Sequence, residues 1–159
     1  MLIRLPIASN ALHKRRVSIM MIDLDNFKQY NDQFGHLEGD QLLREISSVL
    51  RNNIHEQDYL ARYGGEEFIL LSSEIDPLRL SKYAERLCSI VADTFHQKNL
   101  TVFAPITISI GISTAEEPQM ELRRIISEAD HALYESKHHG KNRSILYKHV
   151  QLTNQKMNA

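Results

Sequence analysis

The stretch from Val17 to Leu24, VSIMMIDL, is apolar at nearly every position and rich in branched side chains. A strand of alternating polarity covers one face of a sheet, whereas one that is apolar throughout must be covered on both. The chain therefore needs a central strand with helices packed on either side, an α/β arrangement. That strand ends in Asp23-Leu24-Asp25. Counting by twos, Asp23 shares a face with Ile19 and Met21, so its carboxylate lies at the end of a buried surface. An ionised group there is costly unless a cation or several donors compensate it. The alternative for either aspartate is a helix N-cap in an Asp-x-Asp turn, an alternative that carries more weight for Asp25 than for Asp23.

The rest of the chain supplies the covering layers. Phe27, Tyr30 and Phe34 recur at helical spacing up to Gly35, and Leu42, Leu43, Ile46, Val49 and Leu50 mark a second helix from about Glu38 to Arg51. Tyr59 to Tyr63 and Glu66 to Ser72 read as strands joined by Gly64-Gly65, a pair able to take the positive φ of a tight hairpin. Asp76-Pro77 opens a long helix with Leu80, Ala84, Leu87, Val91 and Phe95 inward. Thr107 to Ser113 is a further strand, and Gln119 to His138 a helix with Leu122, Ile125, Ile126, Ala129 and Leu133 inward. Ser144 to Tyr147 forms a last short strand. This order predicts a mixed central sheet flanked by helices, near the βαββαβ arrangement of palm and nucleotide-cyclase folds. Residues 17–148 make the domain, after an N-terminal segment (1–16) and before a polar tail (149–159).

A length of 159 residues suffices for one domain with its own core. The net charge of −1 gives no field to attract nucleic acid or an anionic membrane, so any nucleotide site is local. No apolar run approaches the ~18 residues of a membrane span, and the opening MLIRLP lacks a signal-peptide pattern. These features point to a cytoplasmic protein, or the cytoplasmic domain of a larger one. The single cysteine, Cys88, excludes an internal disulfide and reads as a small core residue. Eight histidines, His138-His139 among them, lack the spacing of a zinc site.

Glu66 and Glu67 follow the glycine pair, and adjacent strand residues point to opposite faces, so one of them is expected to converge on Asp23. Two carboxylates from neighbouring strand ends form a hard-oxygen site of the kind Mg²⁺ prefers, with positions left for phosphate oxygens. Such a site also suits two-metal phosphoryl transfer.

Six segments in sequence order carry a family resemblance. They are Ile22-Asp23-Leu24-Asp25-Asn26-Phe27-Lys28, Asn31-Asp32-Gln33-Phe34-Gly35-His36 with Gly39-Asp40, and Arg62-Tyr63-Gly64-Gly65-Glu66-Glu67-Phe68. Ser109-Ile110-Gly111, Ala129-Asp130-His131-Ala132-Leu133-Tyr134 with Lys137, and Gly140-Lys141-Asn142-Arg143 complete the set. Over about four-fifths of its length the chain resembles the GGDEF family of diguanylate cyclases, in the variant with Glu at the first acidic position.

The resemblance implies condensation of two GTP molecules into cyclic di-GMP with release of two pyrophosphates, by a two-fold homodimer using Mg²⁺ or Mn²⁺. By the same resemblance Asp23, Glu66 and the carbonyl of Leu24 hold metal, with Glu67 as a further contact, and Glu66 assists deprotonation of the 3′-hydroxyl. Asn31 and Asp40 read guanine, His36 contacts substrate, and Gly64 and Gly65 let backbone approach it. Lys28, Lys137 and Lys141 meet phosphates, Lys28 at the transition state. Where the family usually has Arg, Lys141 keeps the charge and loses the bidentate fork.

Two departures from the family stand out. The inhibitory Arg-x-x-Asp motif reads His55-Glu56-Gln57-Asp58, which with Arg86 predicts weak or absent product feedback. The family's opening helix is not recognisable in Leu5 to Arg16. A sensory domain is expected elsewhere in a full-length protein. The alternative is a catalytically impaired GGDEF module that binds GTP or cyclic di-GMP as a sensor.

Overall fold

Strand β1, Val17–Leu24, is buried from Ser18 onward and carries the whole architecture. It lies in the middle of a five-stranded sheet in a computed structural model that describes residues 16–96, 105–115 and 122–148. The other strands are β2 (Tyr59–Gly64), β3 (Glu67–Ser72), β4 (Ile108–Ala115) and β5 (Ser144–Leu146), in the order β2-β3-β1-β4-β5. All neighbours are antiparallel except β4 and β5, which are parallel, so the sheet is mixed as expected. The helices are α1 (Phe27–Phe34), α2 (His36–Asn53), α3 (Pro77–His96) and α4 (Leu122–His138). The order of elements is the one read from the sequence. Among the described residues no helix is long and apolar enough to cross a membrane.

The two faces of β1 feed two separate cores. Met20, Ile22 and Leu24 pack with Phe27, Leu42, Ile46, Leu80, Leu87 and Val91 beneath α1, α2 and α3. Ile19 and Met21 pack with Ile125, Ala129 and Leu133 of α4. This split explains the unbroken apolar run, since each alternate residue meets a different layer. Glycine lets α4 approach: a Cβ on Gly111 of β4 would overlap the carbonyl oxygen of Ala129 and the nitrogen of Leu133.

Some boundaries move. The hairpin turn is Gly65-Glu66, not Gly64-Gly65: Gly64 ends β2 paired with Glu67, and Gly65 alone of the two has positive φ (+23°). A register irregularity between Arg62 and Gly64 absorbs the shift. Leu122, expected inward, is 37% exposed because α4 begins there, one turn short of the sheet contacts that start at Ile125. Residues 1–15 and 149–159, which hold the expected N-terminal segment and tail, lie outside the described residues, as do 119–121 of the expected helix.

Gly111→Ala should cost about 3 kcal/mol in urea melts, the upper end of overpacking penalties, because backbone rather than a side-chain tip stands in the way.

Candidate functional site

The sheet delivers a carboxylate to the C-terminal end of β1 on the α4 side. Asp23 is 4% exposed and stands directly opposite Glu67 of β3 and Ser109 of β4. Glu66 sits in the turn, where its carbonyl oxygen accepts the N–H of Leu24 at 3.3 Å and ties the hairpin to the strand end. The Arg62 guanidinium donates twice to the carbonyl of Gly65, at 2.9 and 2.6 Å, and so clamps the same turn. Sequence reading had no signal for that role, since Arg62 looks like any exposed strand arginine.

Burial pushes the Asp23 carboxyl up to about 6 from 3.8, against the lowering effect of Lys137, whose Nζ lies 2.8 Å from Oδ1. The charges of both Glu66 and Glu67 raise it further. The expectation that one of the two glutamates would converge on Asp23 is therefore corrected: both bear on it, one from the turn and one across the ladder. Among the described residues no three His, Cys, Asp or Glu form a ready-made metal cage. The donors still suit a hard cation, because the single ammonium of Lys137 only partly offsets a desolvated carboxylate raised by two further carboxylates, and Mg²⁺ commonly completes its shell with water and phosphate oxygens.

Asp25, just past the end of β1, is a different case. It is 1% exposed yet fully engaged: Thr107 Oγ1 donates at 2.7 Å, Ser109 Oγ at 2.8 Å and the backbone N–H of Asn142 at 3.1 Å. The expected capping role is not observed. Asn26, at φ +62°, is the N-cap of α1, and its side chain makes no capping bond but accepts from Lys141 Nζ at 2.5 Å. Lys28 follows, exposed, in the first turn of α1.

A second cluster lies where α1 meets α2. Asn31 Oδ1 is buried without a hydrogen-bond partner, against Gly39, where an added Cβ would collide with it. Asp40 is exposed one residue on and lines an open groove of about 500 Å³ with Leu43, Phe68, Arg44 and Arg62. His36 is exposed at the start of α2. Gly64 and Gly65 have no protein atom close enough to obstruct a side chain, leaving open space beside the turn.

Comparison with known proteins decides the family. The family model described as "Diguanylate cyclase, GGDEF domain" matches residues 3–143. The chain belongs to the GGDEF family. It is 38% identical over 145 residues to Diguanylate cyclase A of Treponema denticola, covering 89% of this chain and 38% of that protein's length. The active GGEEF domain of a diguanylate cyclase from Vibrio cholerae superposes with a TM-score of 0.76 at 30% identity, covering 89% of each chain. The GGDEF domain of DgcB from Caulobacter crescentus, in complex with c-di-GMP, gives 0.75 at 29% identity, covering 88% of this chain and 82% of that one.

In this GGDEF chain His55, Asp58 and Arg86, expected to form a degenerate inhibitory motif, gather around Tyr83. Tyr83 Oη donates to Asp58 Oδ2 at 2.7 Å and accepts the backbone N–H of His55 at 3.2 Å. The His55 ring lies 4.6 Å from that of Tyr83, and Arg86 donates to the Asn53 carbonyl at 2.7 Å while resting over the same ring. Burial raises the Tyr83 hydroxyl well above its ordinary value, with the Asp58 hydrogen bond adding to the rise. Arg86 thus closes the end of α2, a role its helical context did not reveal.

Because Asp23 holds its proton more tightly folded than unfolded, the stability it contributes is present below about pH 4 and is lost as pH rises through about 6. Asp23→Asn should therefore raise the melting temperature at pH 7.5 without divalent metal, by about 1–3 kcal/mol of stability. Lys137→Ala removes the ammonium that lowers Asp23, so the corresponding inflection of stability against pH should move upward from about 6.

Proposed function

We propose that two copies of this domain condense two GTP molecules into cyclic di-GMP with release of two pyrophosphates. The buried Asp23 carboxylate at the end of the central strand, raised by the charges of Glu66 and Glu67, carries the reading. The one ammonium of Lys137 offsets it only in part.

Asp23 and Glu66, with the Leu24 carbonyl and Glu67, would hold Mg²⁺ or Mn²⁺, which supplies charge stabilisation at the transferring phosphoryl group. The polar pair Asn31 and Asp40 suits guanine: a carboxylate accepts from N1–H and N2–H₂, and the amide has an unpartnered atom to satisfy. Adenine would leave those groups unpaired, so it is rejected. His36, exposed at the start of α2, would contact the substrate. Lys28, Lys141 and Lys137 (once displaced from Asp23) surround the phosphate side, with Gly64 and Gly65 giving clearance.

Each domain holds one GTP, and the product is two-fold symmetric, so two domains face each other. The 3′-oxygen of one GTP bonds to the α-phosphorus of the other as the bond to pyrophosphate breaks. Glu66 receives the 3′-hydroxyl proton. The second round closes the ring and releases the second pyrophosphate.

Incubation with GTP and Mg²⁺ followed by chromatography tests this directly, and formation of cyclic di-GMP with a specific rate that falls on dilution is expected. GTP binding without product would favour the sensor reading. Glu66→Gln should lower turnover by at least about 10²-fold, within the range of a lost general base or charge-stabilising group. For the inhibitory motif, cyclic di-GMP should bind weakly to the native chain. His55→Arg should tighten it by about 10-fold, the worth of a charge-assisted fork, as read by calorimetry.

A further inference from the structure

The mechanism above leaves unused one buried charged group, Asp25, whose three hydrogen bonds tie together parts of the chain far apart in sequence. Thr107 immediately precedes β4, Ser109 lies near its start, and Asn142 belongs to the loop after α4. That loop has an unusual backbone: Gly140, Lys141 and Asn142 take successive φ values of +111°, +63° and +48°. Two of the three carry side chains in the left-handed region, a conformation that persists only when its surroundings hold it.

Within the loop, Arg143 Nε donates to the Lys141 carbonyl at 3.1 Å and the Gly140 N–H to the Lys137 carbonyl at 3.4 Å. The Lys141 N–H reaches the Ser136 carbonyl at 3.2 Å, and the Arg143 carbonyl accepts from Ile110 N–H at 2.9 Å and Ser136 Oγ at 3.1 Å. These anchor the loop to α4 and β4. The Asp25 carboxylate alone joins the loop's backbone to the end of β1, where Asp23 stands, and the Lys141 ammonium follows by reaching Asn26.

We propose that Asp25 is a positioning residue for triphosphate binding: it fixes the Asn142 N–H and thereby holds the Lys141 ammonium at the mouth of the site, beside the N-terminus of α1. Its two oxygens already accept from three donors, so its part is to position the loop. Removing the carboxylate leaves the Thr107 hydroxyl and the Asn142 N–H without the oxygen they share. The inference rests on the proposal that this site binds GTP.

The test is calorimetric titration of the 159-residue chain with GTP and, separately, guanosine, in the presence of Mg²⁺. The native chain should bind GTP more tightly than guanosine; equal affinities would sink the GTP reading itself, independently of Asp25. Lys141→Ala should weaken GTP by about 10-fold, the scale of one charge-assisted contact, and leave guanosine unchanged. Asp25→Ala should reproduce that phosphate-specific loss and add less than about 2-fold in the Lys141→Ala background, the non-additivity of residues acting through one another. A native GTP affinity in Asp25→Ala, an equal loss for GTP and guanosine, or full additivity would each overturn the proposal. Should Asp25→Ala not fold, Thr107→Val decides by the same criterion, because it removes a donor from the oxygen that accepts Asn142. A smaller loss confined to GTP supports the role, and no loss or an equal one overturns it.

Discussion

Two carboxylates buried within three residues of each other are the constraint around which this molecule is organised. Ionised groups taken out of water must be compensated, and the protein compensates the two in opposite ways. Asp25 receives neutral donors from three places in the chain and becomes a structural hub. Asp23 receives one ammonium and the repulsion of two glutamates, so its burial is incompletely offset. Their partners separate these fates: Asp23 ends the strand face of Ile19 and Met21 toward α4, whereas Asp25, just past the strand end, meets Thr107, Ser109 and Asn142. A structure with both aspartates equally satisfied would be more stable and would have no reason to take up a cation.

Most of the fold was legible because long-range burial leaves a local trace. The unbroken apolar run gave a central strand, and helical spacing gave α3 with Leu80, Ala84, Leu87, Val91 and Phe95, all buried. The site was legible in its residue types: acidic residues at a strand end, glycines in a hairpin, Asn31 and Asp40 one helix apart. What escaped were partnerships between distant segments. Nothing near Asp25 announces Thr107, Ser109 or Asn142, so a local capping role was the natural reading. Arg62 closing its own turn and Arg86 closing α2 depend likewise on backbone carbonyls whose positions only the folded chain defines.

The turn illustrates how such errors arise. Two adjacent glycines suggest that both occupy the bend, but a register irregularity in β2 moves the bend by one residue. Glu66 thereby leaves the strand and Glu67 becomes its first residue. Strict alternation therefore does not govern the pair, since one member lies in the turn. A one-residue shift thus changes the electrostatics of Asp23 without changing any residue type.

The three successive left-handed residues after α4 also limit the sequences this loop can accept. Side chains branched at Cβ are strongly disfavoured at such φ values, whereas Gly, Asn and unbranched chains are tolerated. Position 141 is consequently open to long flexible cations and closed to valine, isoleucine or threonine, whatever their charge or polarity. The backbone thus filters the available substitutions before any ligand does, and the narrow variation permitted here is a property of the fold as much as of the chemistry.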